Sequence, residues 1–314
     1  PVRLVNVPMR DGVKLSTQIY LPEGEGPWPV IVVRDPYSFS QYVFCKVWVR
    51  YGYACVNQEV RGRGKSGGSW YPFLDERRDG IDTLQWILRQ PWQNGKLGLS
   101  GGSYLGVVQW AVAGDLPPEV KTFIPVVAHG DVYDIAYRGG LFDEGLAGVW
   151  LSSQMRSPLG TLTAGKEWRD KVAGHFPANG VDRTVFGKTW GPYSDYIAHP
   201  DRDDPYWQSA DYVALRDSYR KVRVPVFMIG FANDFFQPGM LRTYDALPTR
   251  AESLMVVGPG NHGGGAEPEI AGSYTGDYAD MPGGDEFTEP DMILVPDFTT
   301  AQAVPWTSPS PVMS

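Results

Sequence analysis

The chain has 314 residues, of which 42% are hydrophobic and 11 are tryptophan, and its formal net charge is −8. This length suffices for one large α/β domain with an insertion or for two domains, and the apolar content excludes a mostly disordered chain. The acidic balance argues against a nucleic-acid-binding protein, which would carry a basic patch. No apolar run is long enough for a membrane-spanning helix, so neither nucleic acid nor a membrane is an expected partner.

Two cysteines, Cys45 and Cys55, are the only ones in the chain. We expect them to be buried, unpaired small hydrophobic residues rather than a disulfide, and they do not fix the cellular compartment. No signal peptide is visible, which favours a cytoplasmic protein. The chain begins at Pro1 without a methionine, which leaves open a trimmed start that has lost an export signal.

The chain up to residue 128 predicts alternating strands and helices. The turn Arg10-Asp11-Gly12 separates two strand-like runs and predicts a hairpin. Short apolar runs at 29–35 and 53–60 are typical of buried parallel strands. The pattern then predicts, in order, a helix over 75–90, a strand over 96–100, a helix over 104–113 and a strand over 121–128.

The alternation stops over residues 131–222, which are rich in aromatic residues and glycine and show no clear strands. It resumes with a strand in 224–234, a helix near 238–247 and a strand that starts at 253. Alternating strands and helices predict a doubly wound, mostly parallel α/β sheet. We therefore expect a core formed by residues 1–130 and 223–265, an insertion at 131–222, and a Gly- and Pro-rich acidic tail at 266–314 whose role is unknown.

Two serines in the segment KLGLSGGSYLG, residues 96–106, compete as a nucleophile. The pattern G-x-S-x-G selects Ser100, whereas the looser G-x-S-x-x-G selects Ser103. A nucleophile elbow needs a strand, a tight turn of small residues and then a helix. Ser103 leaves the strand whole and places two glycines in the turn, whereas Ser100 would cut the strand short, so the mechanics of the turn favour Ser103.

A serine nucleophile needs a base, and the base needs an orienting acid. Of the four histidines, His262 follows the last predicted strand in a glycine-rich loop, whereas His175 and His199 lie in the insertion. His129 also ends a strand, but it precedes every plausible acid in the chain order Ser, Asp, His. Asp234 ends the preceding strand and is a better candidate than Asp245, which falls in the helix pattern.

The loop at residues 62–67 fits G-x-G-x-x-G and follows a strand. No helix pattern starts there, so the dinucleotide-binding interpretation fails. The same loop contains Gly-Lys-Ser, but a P-loop would need glycine where Glu59 stands. We therefore expect a plain loop.

The sequence resembles the cocaine-esterase and X-prolyl dipeptidyl peptidase group of α/β-hydrolases over roughly residues 1–265. The matching segments, in order along the chain, are MRDGVKLSTQIYLP, VVRDPYSF, VRGRGKSGGSW, DGIDTLQWILRQPWQNGKLGLSGGSYLG, HPDRDDPYWQ, VPVFMIGFANDFF and VVGPGNHG. The resemblance implies an α/β-hydrolase fold with an inserted helical cap at 131–222. It also implies that Ser103 is the nucleophile, with Asp234 and His262 as acid and base.

The same resemblance implies an oxyanion hole made of the Tyr37 hydroxyl and the backbone N–H of Tyr104. It makes Trp150, Phe235 and Phe236 candidate apolar walls of the substrate pocket. Members of this group usually carry a C-terminal β jelly roll, for which residues 266–314 leave too little chain. An exposed face left without that domain would favour a homo-oligomer.

The expected activity is hydrolysis of a small-molecule carboxylic ester, or of an amide or peptide, through an acyl-enzyme. This chemistry needs no metal or cofactor. Two alternatives stay open at the level of sequence. The same three residues could transfer the acyl group to an amine or alcohol, or the chain could be a degenerate hydrolase fold that serves only as a binding module.

Overall fold

The computed structural model describes residues 2–38, 42–156, 170–172, 174–175 and 178–262. The predicted tail at 266–314 lies outside the described residues. None of the helices in the described ranges has both the length and the apolar character needed to cross a membrane.

The core of the molecule is an eight-stranded sheet. Its strands are β1 Val2–Pro8, β2 Lys14–Tyr20, β3 Trp28–Asp35, β4 Ala54–Glu59, β5 Gln93–Gly102, β6 Val120–Val126, β9 Phe227–Phe231 and β10 Leu254–Gly258. They lie in the order β1-β2-β4-β3-β5-β6-β9-β10. The first two strands form the predicted hairpin, and β2 pairs antiparallel with β4. All later pairings are parallel, from β4–β3 to β9–β10. The α/β-hydrolase fold expected from the sequence is thereby confirmed.

The sheet is flanked by the helices α1 Tyr42–Arg50, α2 Glu76–Leu88, α3 Tyr104–Val112 and, near the end of the fold, α9 Gln237–Asp245. All nine residues of α3 are buried, as expected of a helix that is apolar on every side. All six residues of β4 are buried as well, because both faces of a central parallel strand are covered. The loops that follow these strands therefore extend from a well-packed centre.

The segment between β6 and β9 contains short elements. These are α4 Val132–Ala136, a hairpin of β7 Tyr137–Arg138 and β8 Leu141–Phe142, α5 Val149–Arg156, α6 Val181–Phe186, α7 Gly191–Ala198 and α8 Ala210–Asp217. The hairpin is a small departure from the expectation of no clear strands. Two paired residues on each side are too few to give an alternating sequence pattern. The role of residues 131–222 as a cap remains a prediction.

The prediction for the two cysteines was wrong about their pairing. Cys45 and Cys55 are both fully buried, as expected, but they form a disulfide. Cys45 lies on α1 and Cys55 on β4, and this helix packs on this strand. The packing brings the two Cα atoms to 5.3 Å, within the range that a disulfide can bridge. Spacing along the chain could not reveal this approach.

The predicted strand at 96–100 is too short at both ends. Strand β5 starts at Gln93 and continues through Gly101 and Gly102, where it pairs with β6 up to the partners Gly102 and Val126. Glycine is disfavoured in strands, so the end of β5 is decided by its pairing with β6. The extension carries the chain directly to Ser103.

Candidate active site

Ser103 sits in a sharp turn between β5 and α3. Its backbone has φ 54° and ψ −126°, a region that non-glycine residues rarely occupy. The Ser103 N–H donates to the carbonyl of Val126 at 2.9 Å, which anchors the turn to the neighbouring strand. A strained turn of this kind projects the side chain above the carboxyl edge of the sheet.

Two glycines make this turn sterically possible. A Cβ at Gly101, where φ is +156°, would lie 2.5 Å from the Cβ of Leu105. A Cβ at Gly106 would lie 2.5 Å from the Cβ of Ala128. The sequence GGSYLG therefore lets the chain reverse tightly and lets α3 pack directly on the sheet. Ser100, by contrast, is a buried strand residue paired with Ile124, away from the turn.

The structure brings the three predicted residues Ser103, His262 and Asp234 together. His262 Nε2 lies 2.8 Å from Ser103 Oγ, and His262 Nδ1 lies 2.8 Å from Asp234 Oδ2. Asp234 is fully buried, whereas the His262 side chain is 27% exposed. In the tautomer with Nδ1 protonated, His262 donates to the carboxylate and can accept the serine proton.

The loops after β9 and β10 hold the predicted acid and the predicted base side by side. The N–H of Asn233 donates to the carbonyl of Gly260 at 2.9 Å. The second carboxylate oxygen of Asp234 accepts from the N–H of Phe236 at 2.6 Å. These bonds fix the direction in which Asp234 points, because both of its oxygens have a partner.

Tyr37, the predicted oxyanion donor, follows β3 and lies beside Ser103. Its hydroxyl accepts a hydrogen bond from Trp150 Nε1 at 3.2 Å, and the nearby Ser103 side chain lowers its pKa, an effect smaller than that of burial. Burial raises the pKa of Tyr37 to about 12. The hydroxyl therefore keeps its proton at neutral and mildly alkaline pH and can act as a donor there.

Tyr104 has two separate roles. Its backbone N–H opens α3, where the first N–H groups have no partner within the helix. Its side chain points elsewhere. The hydroxyl donates to Glu76 at 2.7 Å and accepts from the N–H of Phe73 and from Trp70 Nε1. Glu76 in turn pairs with Arg34 at 2.7 Å. This buried network fixes the first residue of the helix.

The three predicted wall residues take different positions. Trp150 is half-buried, and its ring stacks on Phe73 at 5.9 Å beside Tyr37. Phe235 is half-buried and stacks on the His262 ring at 4.2 Å. Phe236 is only 6% exposed and meets the same ring edge-on at 5.1 Å. Phe235 and Phe236 thus contact the histidine ring, whereas Trp150 contacts Tyr37. The contact of all three with substrate remains a prediction.

The other histidines lie apart from this constellation. His129 is buried, and burial lowers its pKa to about 4. Its Nδ1 accepts the N–H of Asp131 at 3.2 Å, so it is a neutral core residue. His199 pairs with Asp204 at 3.0 Å in the insertion.

Arg63 and Trp70 also lie close to the predicted site, although no sequence pattern predicted this. Both belong to the segment VRGRGKSGGSW, whose glycine pattern directed attention to nucleotide binding. The Arg63 guanidinium lies over the Trp70 ring at 4.2 Å, and Arg63 Nε donates to the carbonyl of Pro36 next to Tyr37 at 2.9 Å. Within the ranges that the structure describes, no group of three or more His, Cys, Asp or Glu residues could hold a metal ion.

Comparisons with known proteins identify the family of this chain. The model of the X-Pro dipeptidyl-peptidase (S15) family matches residues 11–264. Cocaine esterase from Rhodococcus sp. strain MB1 Bresler is 34% identical over 284 residues, covering 82% of this chain and 48% of that protein. The matched part of the chain thus spans about half the length of cocaine esterase.

Solved structures show the same fold. An α-amino acid ester hydrolase superposes with a TM-score of 0.65 at 25% identity, over 83% of this chain and 48% of that one. An aminopeptidase from a Thaumarchaeota archaeon of marine sediment gives 0.64 at 23% identity, over 84% and 49% of the two chains. The family model covers most of the sequence, including all three residues brought together at the turn, and the resemblance seen in the sequence is confirmed. The chain belongs to the X-Pro dipeptidyl-peptidase (S15) family of α/β-hydrolases.

Proposed function

We propose that this protein is a serine hydrolase that cleaves small carboxylic esters, and amides or peptides of similar shape, through an acyl-enzyme. The observation that carries the proposal is the continuous chain of contacts from Ser103 through His262 to Asp234, with 2.8 Å at each step. The names of the relatives support the ester class, because both cocaine esterase and the α-amino acid ester hydrolase act on esters.

In the first half of the proposed reaction, Ser103 Oγ attacks the carbonyl carbon while His262 Nε2 takes the serine proton. The carbonyl oxygen becomes an oxyanion that accepts hydrogen bonds from the Tyr37 hydroxyl and the Tyr104 N–H. His262 then gives its proton to the leaving alcohol or amine as the carbonyl–leaving-group bond breaks. Asp234 stabilises the transient imidazolium and keeps the ring in the useful tautomer.

In the second half, water attacks the acyl-serine and gives a proton to His262 Nε2. The second tetrahedral oxyanion uses the same two donors. The Ser103 oxygen then leaves and regains its proton from His262, which releases the acid. The half-buried rings of Trp150 and Phe235 beside these atoms favour a substrate with an apolar group on at least one side of the carbonyl.

The test is labelling with a fluorophosphonate probe followed by peptide mass mapping, together with turnover of a p-nitrophenyl ester. We expect the adduct on Ser103, and loss of both labelling and turnover in Ser103→Ala. Ser100→Ala is the matched control, because that serine lies buried in β5, and it should keep both. An adduct on Ser100, or near-full turnover by Ser103→Ala, would overturn the proposal.

A further inference from the structure

Arg63 is a buried cation next to the proposed oxyanion hole. Only 6% of the residue is exposed, and its guanidinium covers the face of Trp70 at 4.2 Å. Within the part of the chain that the structure describes, no carboxylate forms an ion pair with it. A buried charge without a paired carboxylate costs desolvation free energy. The hydrogen bonds that Arg63 makes are therefore the place to look for its role.

The first of these contacts holds the backbone immediately before Tyr37. Arg63 Nε donates to the carbonyl of Pro36 at 2.9 Å, on the N-terminal side of the tyrosine. The N–H of Tyr37 donates to Asp35 Oδ1 at 2.6 Å. The carbonyl and the N–H of the peptide group between Pro36 and Tyr37 are therefore both held, which restricts where the Tyr37 side chain can point.

The second contact joins the same guanidinium to helix α5. Arg63 Nη2 donates to Gln154 Oε1 at 2.5 Å. Gln154 lies one helical turn after Trp150, so the two side chains share a face of α5. Trp150 Nε1 donates to the Tyr37 hydroxyl at 3.2 Å. Arg63 thus holds the base of the Tyr37 loop and the helix that contacts the tip of the Tyr37 side chain.

We propose that Arg63 is a positioning residue that fixes the Tyr37 hydroxyl for oxyanion stabilisation by tying the Pro36–Tyr37 loop to helix α5. This inference rests on the proposed serine-hydrolase function. Arg63 does not touch the reacting atoms. Its planar fork donates to two separate acceptors at once, which a lysine ammonium in one position cannot reproduce.

The test is a double-mutant cycle on turnover of a p-nitrophenyl ester, using Arg63→Met, Tyr37→Phe and the double variant. Tyr37→Phe should lower kcat by about 10²–10³, the usual effect of losing an oxyanion donor. Arg63→Met should lower kcat about tenfold with little change in KM, since it weakens only the transition-state interaction. In the Tyr37→Phe background, Arg63→Met should lower kcat no further, because both changes act on one hydrogen bond.

Arg63→Lys should lie between the wild type and Arg63→Met. Arg61→Lys is the matched control, because Arg61 belongs to the same loop but pairs with Asp79 and Asp11 instead, and it should leave kcat unchanged. Additive losses in the cycle would overturn the inference and indicate a merely structural role. Normal activity of Tyr37→Phe would overturn it too, while Ser103→Ala would still report separately on the proposed function.

Discussion

At the scale of single residues, the site depends on a backbone conformation that its own residue type disfavours. Ser103 has positive φ, and such strain persists only where the surroundings enforce it. Here the enforcing contacts are the bond from Ser103 N–H to Val126 and the close approach of Leu105 to Gly101. These contacts hold the Ser103 side chain above the sheet, with its Oγ 2.8 Å from Nε2 of the proposed base His262.

Asp234→Asn is the substitution that tests the orienting acid with the least disturbance. The asparagine Oδ1 can still accept from the N–H of Phe236, but its NH₂ group cannot accept the Nδ1 proton of His262. The ring then favours the other tautomer, which leaves no acceptor for Ser103. We expect kcat to fall by roughly 10⁴ with the fold retained. Steady-state kinetics with circular dichroism provides the check, and a loss of less than tenfold would contradict the assigned role.

His129 predicts a specific dependence of stability on pH. Burial lowers its pKa from 6.5 to about 4, so between these values the unfolded chain binds a proton that the folded protein does not. The contribution of His129 to the free energy of unfolding is therefore fully present above about pH 6.5. It is lost as the pH falls towards 4, by roughly 3 kcal/mol in total.

Urea unfolding at a series of pH values measures this loss. His129→Phe should flatten the fall across that range, because it removes the titrating group and keeps an aromatic ring beside Phe236. His175→Gln, a change in the insertion, should leave the profile as it is. An unchanged profile in His129→Phe would assign the acid sensitivity to other groups.

At the scale of elements, the contact of helix α3 with the sheet sets the position of the Tyr104 N–H. Gly106 faces Ala128, and an added Cβ would lie 2.5 Å from the alanine methyl. Gly106→Ala should lower the free energy of unfolding by about 1–3 kcal/mol, as overpacking usually does, and should lower kcat as well. The control is Gly191→Ala in α7, where the nearest atom lies 3.7 Å from the added Cβ. Equal stability of both variants in urea would contradict the tight packing.

The link between α1 and β4 gives a second prediction at this scale. The disulfide of Cys45 and Cys55 restricts the unfolded chain, so replacing both by alanine should lower the free energy of unfolding by about 2–4 kcal/mol. Urea unfolding of the wild type with and without a reductant provides the comparison. The reduced wild type should unfold near the double variant, and the double variant should be insensitive to reductant. Identical unfolding of all samples would show that this bond contributes nothing.

At the scale of the whole molecule, the insertion is held to the core next to the proposed site. Trp70 from the core contacts Trp150 at 6.1 Å and Trp190 at 6.2 Å, both from the segment between β6 and β9. Tyr71 of the core donates to Asp195 on α7 at 2.7 Å. These contacts make the position of the segment between β6 and β9 depend on the loop that carries Arg63.

Among the described residues, strand β10 forms one edge of the sheet, and its exposed apolar side chains predict self-association. Strand β10 pairs with β9 on one side, and its residues Leu254, Val256 and Val257 are 50%, 43% and 45% exposed. An apolar edge strand is a template for pairing with another chain, and a charge on it opposes this. In light scattering, the average molar mass of the wild type should rise with protein concentration. Val256→Lys should reduce this rise. Leu241→Lys, on helix α9 and 49% exposed, is the control, because this exposed apolar residue does not lie on an edge strand. Association of the Val256 variant equal to that of the wild type would contradict the prediction.

The sequence alone determined the features that depend on local patterns. Apolar runs gave the strands of a mostly parallel sheet, because such strands are buried on both faces. The glycines around Ser103 distinguished it from Ser100 as the elbow residue, because the turn needs small neighbours. Ser103, Asp234 and His262 each follow a predicted strand. The sequence therefore also predicted that they lie close together, because the carboxyl ends of parallel strands meet at one edge of the sheet.

Only the tertiary structure decided features that join distant segments. The pairing of Cys45 with Cys55 required α1 to fold back on β4, and the end of β5 was decided by β6 rather than by its own glycines. The placement of Arg63 between Pro36 and Gln154 could not be read from a loop pattern that matched nucleotide-binding motifs. In each case the deciding interaction lies between residues that the chain separates and packing brings together, and a linear pattern carries no record of that approach.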